Sequence, residues 1–359
     1  MSSRSHRAIR RTAALAALPL LAACTAPGVS SDQATDAGGQ EEFAPASLDG
    51  VRVLLGNDDS MRAAEEDGSD GLGLYELRSA LCAAGADVVV FAPWDYQSSM
   101  SSAVSHSGSF GLGGHPGLPD EYADDCADAS GQGAVYGVCV EDGPCEDGSP
   151  SATPVDAVNF ALRHGLPELV GWDDAPDLVV SGANSGPNVA TQIPHSGTVG
   201  AALAGQLAGV PSVAVSASID DDLTVAPETY TAAAAFATDL IARLHGADLL
   251  TSAYLLNVNH PHSPDGEPAA DVRWTEAGTG TVLLPEYTGE DSYELGVTVC
   301  GPDTPDCLPE TKENADSTAL LVEGAVSVSA LTADRTYASG EDPAEVERLA
   351  ALVDSLGSS

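Results

Sequence analysis

Val51-Arg-Val-Leu-Leu-Gly-Asn-Asp-Asp-Ser60 decides the reading of this chain. A short apolar run bounded by Gly and Asn reads as a buried parallel strand, and it stops abruptly at Asn57, Asp58 and Asp59. In open α/β sheets the ligand crevice lies beyond the carboxyl ends of the strands. Two adjacent carboxylates therefore fall where such a sheet does chemistry. Like charges side by side repel unless something positive holds them, and a hard divalent cation with oxygen ligands meets that need. Asn and Asp also close strands in Asx-turns that carry no chemistry, so the rest of the chain has to decide between the two.

Working outward, residues 74–84 place apolar side chains at helical spacing, and Gly85 closes the run. Residues 87–92 form a second apolar strand, stopped by Pro93. Strand, loop, helix and strand in that order open a doubly wound α/β sheet. An acidic, Gly-rich insertion (62–70) precedes the helix, and 108–151 reads as an excursion with a short hairpin near 135–140. A helix is expected over 154–163, a strand over 177–181, and a Gly/Asn-rich loop over 182–194. Ser196-Gly-Thr198 opens a small-residue helix at 199–208. Strands at 213–216 and 254–259 flank a helix at 228–244. Beyond Pro261 the chain turns β- and loop-rich, with strands near 297–299 and 325–329 and a last helix at 344–356.

The ends and the charge narrow the class. Arg4, Arg7, Arg10 and Arg11 precede an apolar stretch too short to span a bilayer. It closes with Leu21-Ala22-Ala23-Cys24, which resembles a bacterial lipobox with Cys24 as the lipidated first mature residue. An ordinary signal peptide with a chance cysteine is the alternative; Arg10-Arg11 also suggests a twin-arginine signal, but the residues after it fit poorly. The expected division is a leader (1–23), a flexible Ser/Gly/Pro tether (24–48), an α/β catalytic core (49–260) and a β-rich C-terminal extension with its final helix (261–359). Localisation is then the outer face of the membrane, or secretion. Without the leader, 9 bases face 54 acids, a net charge of −45. Such a surface repels nucleic acid and anionic membrane faces, so membrane contact is expected only through the Cys24 lipid. An anionic ligand must be drawn in locally, by a metal or by backbone N–H groups. Six cysteines remain, an even number that suggests disulfides in an exported chain. Cys139/Cys145 and Cys300/Cys307 are close in sequence, which leaves Cys82 with Cys126.

Three strand ends now point oxygen-bearing residues at one crevice: Asn57-Asp58-Asp59, then Gln97-Ser98-Ser99, then Ser181-Gly-Ala-Asn184 with Gly186-Pro-Asn188. Carboxylate, hydroxyl and amide oxygens suit Mg²⁺, Mn²⁺ or Ca²⁺. Ser196-Gly-Thr198 opens a helix whose free N–H groups favour an anion, although Ser196 also reads as a plain N-cap. These blocks, in this order, resemble the SurE (survival protein) family of metal-dependent nucleotidases. The likeness includes residues 53–59, Val90-Phe-Ala-Pro with Gln97-Ser98, and Thr153, Pro154 and Asp156. It continues through 177–184, 186–188 and 196–199, then Leu256-Asn-Val-Asn259 and Asp316 with Glu323-Gly324.

The resemblance implies a three-layer, Rossmann-like fold with a mostly parallel sheet and a β-rich C-terminal extension. It implies one divalent cation, Mg²⁺ or Mn²⁺, on Asp58, Asp59, Ser98 and Asn184. Asn188, Ser196, Gly197 and Thr198 would line the phosphate side, and Asp58 or Asp59 would orient or deprotonate the attacking water. It further implies a homodimer or homotetramer. The chain departs from the pattern at Ser60 and Ser99, where the family has Gly, at Thr191-Gln192, and at His195. The expected activity is hydrolysis of nucleoside monophosphates at the cell surface. A broad acid phosphatase or polyphosphatase is the rival enzyme, and a non-catalytic phosphate- or nucleotide-binding lipoprotein the rival of another class. His260-Pro-His262 and Asp220-Asp221-Asp222 each suggest a further metal site, against the commoner reading of a loop and a solvated turn.

Overall fold

The strand that opens the chain's chemistry, β1 (Arg52–Gly56), is buried from Val53 onward. Its side chains alternate between two apolar layers. Val53 and Leu55 join the cluster that contains Leu74, Tyr230 and Ile241, and Leu54 joins the one that contains Val155, Val158 and Ala201. A strand covered on both faces reads as an unbroken apolar run; β2 (Asp87–Pro93) is buried at every position. The computed structural model describes residues 43–62, 71–114, 118–220, 222–289, 294–301, 304–335 and 343–357. The leader, Cys24, the tether as far as residue 42, the insertion after Arg62 and Asp221 lie outside the described residues.

Helix α1 (Leu72–Ala83) links β1 to β2. Then come β3 (Gly111–Gly114), β4 (Val135–Cys139), α2 (Pro154–Phe160), β5 (Leu178–Ser185), α3 (Gly197–Leu207), β6 (Ser212–Ala217), α4 (Pro227–Gly246) and β7 (Leu255–His260). The rest is β8 (Val272–Thr275), β9 (Leu283–Thr288), β10 (Glu294–Val299), α5 (Asp316–Leu321), β11 (Val326–Leu331) and α6 (Pro343–Gly357). One nine-stranded sheet runs β3-β4-β2-β1-β5-β6-β7-β11-β8. From β4 to β7 it is parallel; β3 is antiparallel to β4 and β11 to β7, while β8 runs parallel to β11. Helices α1 and α4 cover one face, α2 and α3 the other, giving the expected three-layer α/β architecture.

Local chemistry explains where the elements differ from expectation. Residues 135–139 pair in parallel with β2, so the supposed excursion supplies an integral strand. β5 runs on to Ser185 through an irregularity between Ser181 and Asn184, where the sequence suggested a loop from Gly182. After Phe160 the second helix widens into a π-type winding over Ala161–Val170, where Gly165 faces the Phe91 ring and Pro167 withholds an N–H. Beyond residue 261, β8 and β11 extend the main sheet, and β9–β10 is a separate antiparallel pair. At the other end, Leu48 is fully buried and Ala46 N–H donates to Ala242 O at 3.0 Å, so the last residues of the expected tether pack on the core. No described helix is long and apolar enough to cross a membrane.

The disulfides are Cys82–Cys126, Cys139–Cys145 and Cys300–Cys307, as expected. The first fastens α1 to the segment before β4, beside Arg78, which donates to the carbonyls of Tyr122 (2.8 Å), Asp125 (2.8 Å) and Gly133 (2.7 Å). Cross-linking stabilises through the loop it closes. Replacing both cysteines of the 44-residue link by alanine is expected to cost about 4 kcal/mol, and of the 6-residue Cys139–Cys145 link about 2 kcal/mol. Denaturant titration of the two double variants checks the order; a costlier short link would contradict it.

Candidate functional site

Asp58 and Asp59 follow β1 directly, and each is 1% exposed. Their turn is closed by Asn57 Nδ2 donating to Ser60 O (2.8 Å) and by Ser60 itself, at φ +91°. Serine thus adopts the left-handed conformation glycine takes readily, so this departure leaves the turn in place at a cost in strain. Ser99 does the same at φ +66°.

The separate sequence blocks converge here. Gln97 N–H donates to Asp58 O at 2.8 Å, which brings the Ser98 loop against the carboxylates. Ser185 N–H donates to Asp59 Oδ2 at 2.8 Å, which sets Asn184 beside them. Thr198 Oγ1 donates to Asp58 Oδ1 at 2.5 Å. Gly197 is required by close approach: a Cβ there would stand 2.8 Å from Asp58 Cβ and Oδ2. The Ser98 loop is also stitched to the turn before α3, by Ser101 N–H on His195 O (3.1 Å) and Ser101 Oγ on Pro194 O (2.7 Å). Thr153 caps α2 through Asp156 N–H (3.1 Å) and donates to Ala103 O (2.7 Å), while Asp156 accepts from Ser105. That third block therefore anchors the loop.

The phosphate-side residues are placed less simply. Ser196 Oγ accepts from Val199 N–H at 3.0 Å, an N-cap. The N–H groups of Gly197 and Thr198 turn toward the Asp58 carboxylate, so the positive pole of α3 serves Asp58 first and an anion would share it. Asn188 Nδ2 donates to Ser216 Oγ (3.0 Å), and its backbone is gripped by Asn257 and Asn259. Beside the same helix start a cavity of about 310 Å³ is lined by Ser101, Pro194, Ser196, Leu331 and Arg335, among others; neither Asp58 nor Asp59 lines it.

Electrostatics point to a cation. Burial pushes the Asp58 carboxyl up to about 6, against the lowering effect of the Thr198 hydroxyl and the N–H groups of Thr198 and Gly197. Asn184 Oδ1 is buried with no hydrogen-bond partner, although its Nδ2 donates to Gly186 O at 2.6 Å. An orphaned amide oxygen beside two buried carboxylates, with the half-buried Ser98 hydroxyl in the next loop, fits a hard divalent cation. Among the described residues no three His, Cys, Asp or Glu side chains cluster for a metal; this centre has two carboxylates and takes its other oxygens from amide and hydroxyl groups. Sequence reading overlooked Tyr96, whose phenol lies beside Ser98 and within electrostatic reach of both carboxylates.

The other candidates resolve blandly. His260 is fully buried, its Nδ1 lies 2.8 Å from Pro261 O, and burial lowers its pKa. Asp220 closes its own turn, accepting from the N–H groups of Asp222 and Thr224 at 2.9 Å each. His195 is exposed at the rim.

Fold and crevice together define an α/β protein with a hard-oxygen centre at the carboxyl ends of its parallel strands. The family profile described as Survival protein SurE matches residues 53–282, more than half of the chain. The 5'-nucleotidase SurE of Desulforudis audaxviator is 34% identical over 229 residues, covering 64% of this chain and 71% of that protein. That of Anaeromyxobacter sp. is 32% identical over 292 residues, covering 80% and 92%. In fold, the crystal structure of SurE protein from Aquifex aeolicus matches with a TM-score of 0.56 and 24% identity, over 83% of this chain and 99% of that one. The chain belongs to the SurE family.

The raised Asp58 carboxyl has a defined sign. Metal-free folded protein keeps this proton to about pH 6, whereas the unfolded chain releases it near 3.8. The folded state binds more protons in between, so stability falls as pH rises through that window. In chelator, Asp58→Asn is expected to melt a few degrees above the parent at pH 8, with the gain shrinking at pH 5, and to weaken Mn²⁺ binding about 100-fold or more. Melting curves at the two pH values and calorimetric Mn²⁺ titration check both.

Proposed function

We propose that the protein is a divalent-metal-dependent phosphomonoester hydrolase acting on nucleoside monophosphates outside the cytoplasm. The observation that carries this is the buried Asp58–Asp59 pair with the orphaned Asn184 oxygen beside it, facing the start of α3. The names of its relatives, 5'-nucleotidase SurE, support the substrate class. Asp58, Asp59, Asn184 and Ser98 would hold Mg²⁺ or Mn²⁺, which would supply Lewis-acid polarisation of a phosphoryl oxygen and a bound water of lowered pKa. Asp59 stays oriented by Ser185 N–H, and Asp58, steadied by Thr198, is the carboxylate assigned to take the water's proton. Ser196, Gly197 and Thr198, with Asn188, form the phosphate side.

Export and anchoring through Cys24 belong to the same reading. The leader pattern and three disulfides in one chain fit an oxidising compartment. Self-association as a dimer or tetramer fits the β9–β10 pair, which exposes Tyr287 (68%) and Leu295 (70%).

The test is phosphate release from AMP by the chain from residue 25 onward, with Mn²⁺, Mg²⁺ or chelator. Metal-dependent turnover is expected, lost about 1,000-fold or more in Asp59→Asn and Asn184→Ala. Raising salt is expected to increase kcat/KM, because screening weakens repulsion between the acidic surface and the substrate. Faster release from p-nitrophenyl phosphate or polyphosphate than from AMP would favour the broad phosphatase. Stoichiometric binding without turnover under any metal would favour the binding lipoprotein.

A further inference from the structure

The segment from Asn188 to Ser196 carries Asn188 and Ser196 of the phosphate side and leads into Gly197 and Thr198; besides the bonds of Ser101 to Pro194 and His195, two ties fix its start. At its start, Asn188 O accepts from Asn257 Nδ2 (2.8 Å) and Asn259 Nδ2 (3.2 Å), and Asn188 N–H donates to Asn259 Oδ1 (2.7 Å). The second tie comes from 126 residues further along the chain: Ala190 N–H donates to Asp316 Oδ1 at 3.1 Å. That one oxygen also accepts from Gly278 N–H (2.9 Å) and Ser317 N–H (2.7 Å). Asp316 is fully buried, and its other oxygen has no hydrogen-bond partner.

Burying a carboxylate is costly unless its hydrogen bonds are made. Asp316 accepts three N–H bonds on a single oxygen, from two distant stretches of backbone, at Ala190 and Gly278, and from its own neighbour Ser317. Such charge-assisted bonds are stronger than neutral ones, so this is the geometry of a clamp. What it clamps needs holding. Ala190 has φ +46°, a conformation that a residue with a Cβ adopts only when its surroundings enforce it. Ala190–His195 then makes a tight 3-10 turn that delivers Ser196, the cap of α3, and so Thr198, whose hydroxyl bonds Asp58. Thr191 Oγ1 adds a bond to Gly280 O at 3.1 Å, on the stretch that Asp316 also grips.

We propose that Asp316 is a positioning residue for phosphoester hydrolysis: its carboxylate holds Ala190 in place and thereby sets the Asn188–Ser196 segment against the crevice. The proposal rests on the hydrolase reading above. The metal ligands lie on other elements and meet this segment only indirectly, through the bond of Thr198 to Asp58 and the bonds of Ser101 to Pro194 and His195, so loss of Asp316 loosens the phosphate side more than the metal side.

The test compares Asp316→Ala, Asp316→Asn and Asp316→Glu in the full chain, by amide hydrogen exchange, steady-state kinetics with AMP and calorimetric Mn²⁺ binding. In Asp316→Ala, exchange over 188–198 is expected to quicken about tenfold or more while 53–59 keeps its rate. KM for AMP rises about tenfold, a larger change than that in kcat or in Mn²⁺ affinity. Asparagine retains an acceptor oxygen and is expected to bring KM back to within about threefold. Adding Ala190→Gly to Asp316→Ala is expected to recover part of the loss, because glycine reaches positive φ unaided. Where the alanine variant does not fold, Asp316→Glu, which keeps the charge but displaces the oxygens by a methylene, decides by the same readouts. Unchanged exchange and KM, or quickening spread evenly over the sheet with no rescue by asparagine, would overturn the proposal. If the parent does not hydrolyse AMP, the hydrolase reading falls, and the exchange pattern alone still decides whether Asp316 holds the segment.

Discussion

Two carboxylates buried next to each other at the end of a central strand are the constraint on which the rest depends. Burial and mutual repulsion both disfavour their ionised forms, so the surrounding chain is arranged to make the charge tolerable. Thr198, the N–H groups at the start of α3 and the Ser185 N–H each supply positive hydrogen to Asp58 or Asp59. The α/β fold makes this possible because its strand ends and helix N-termini meet along one edge of the sheet. A divalent cation completes the same compensation, which is why the donor set and the fold point to one place.

The loops that line the crevice are held by backbone bonds more than by side-chain packing. Gln97 grips Asp58, Ser101 grips Pro194 and His195, and Asp156 grips Ser105. Four residues with a Cβ near the crevice, Ser60, Ser99, Ser101 and Ala190, stand at positive φ. Each is a strained conformation sustained by its neighbours. The sheet beneath has a register irregularity in β5 between Ser181 and Asn184, next to the Asn184 ligand position.

Much of this was readable from residues 51–60 and the blocks that follow them, for a physical reason. Parallel strands buried on both faces leave uninterrupted apolar runs, and their ends leave Asn, Asp and Gly. The succession of strands and helices and the meeting of Asp58, Asp59 and Asn184 at one crevice follow from those signals; the three disulfides were read separately, from the spacing of the cysteines. What was not readable depends on contacts far apart in sequence. Residues 135–139 look like a loop hairpin until β2 supplies a partner. The extension of β5 past Gly182 needs β6 beside it. Ser196 and Thr198 signalled an anion site, but only the fold shows that Asp58 occupies the helix pole they create. Asp316 matched a family block with no stated purpose; its purpose appears once Ala190 lies against it.

The charge of −41 puts these local arrangements in perspective. A field of that sign pushes phosphate away as it comes within about a Debye length of the surface, about 10 Å at 0.1 M salt. Attraction must then come from within a few ångströms: the helix pole shared with Asp58, and a cation on the dyad as proposed above. Short-range attraction inside long-range repulsion ties affinity to placement. An arrangement loosened by an ångström loses its attraction steeply, while the repulsion hardly changes. That asymmetry gives a physical reason why a chain this acidic fastens its crevice loops with buried side-chain and backbone bonds, where a basic protein has its surface field to fall back on.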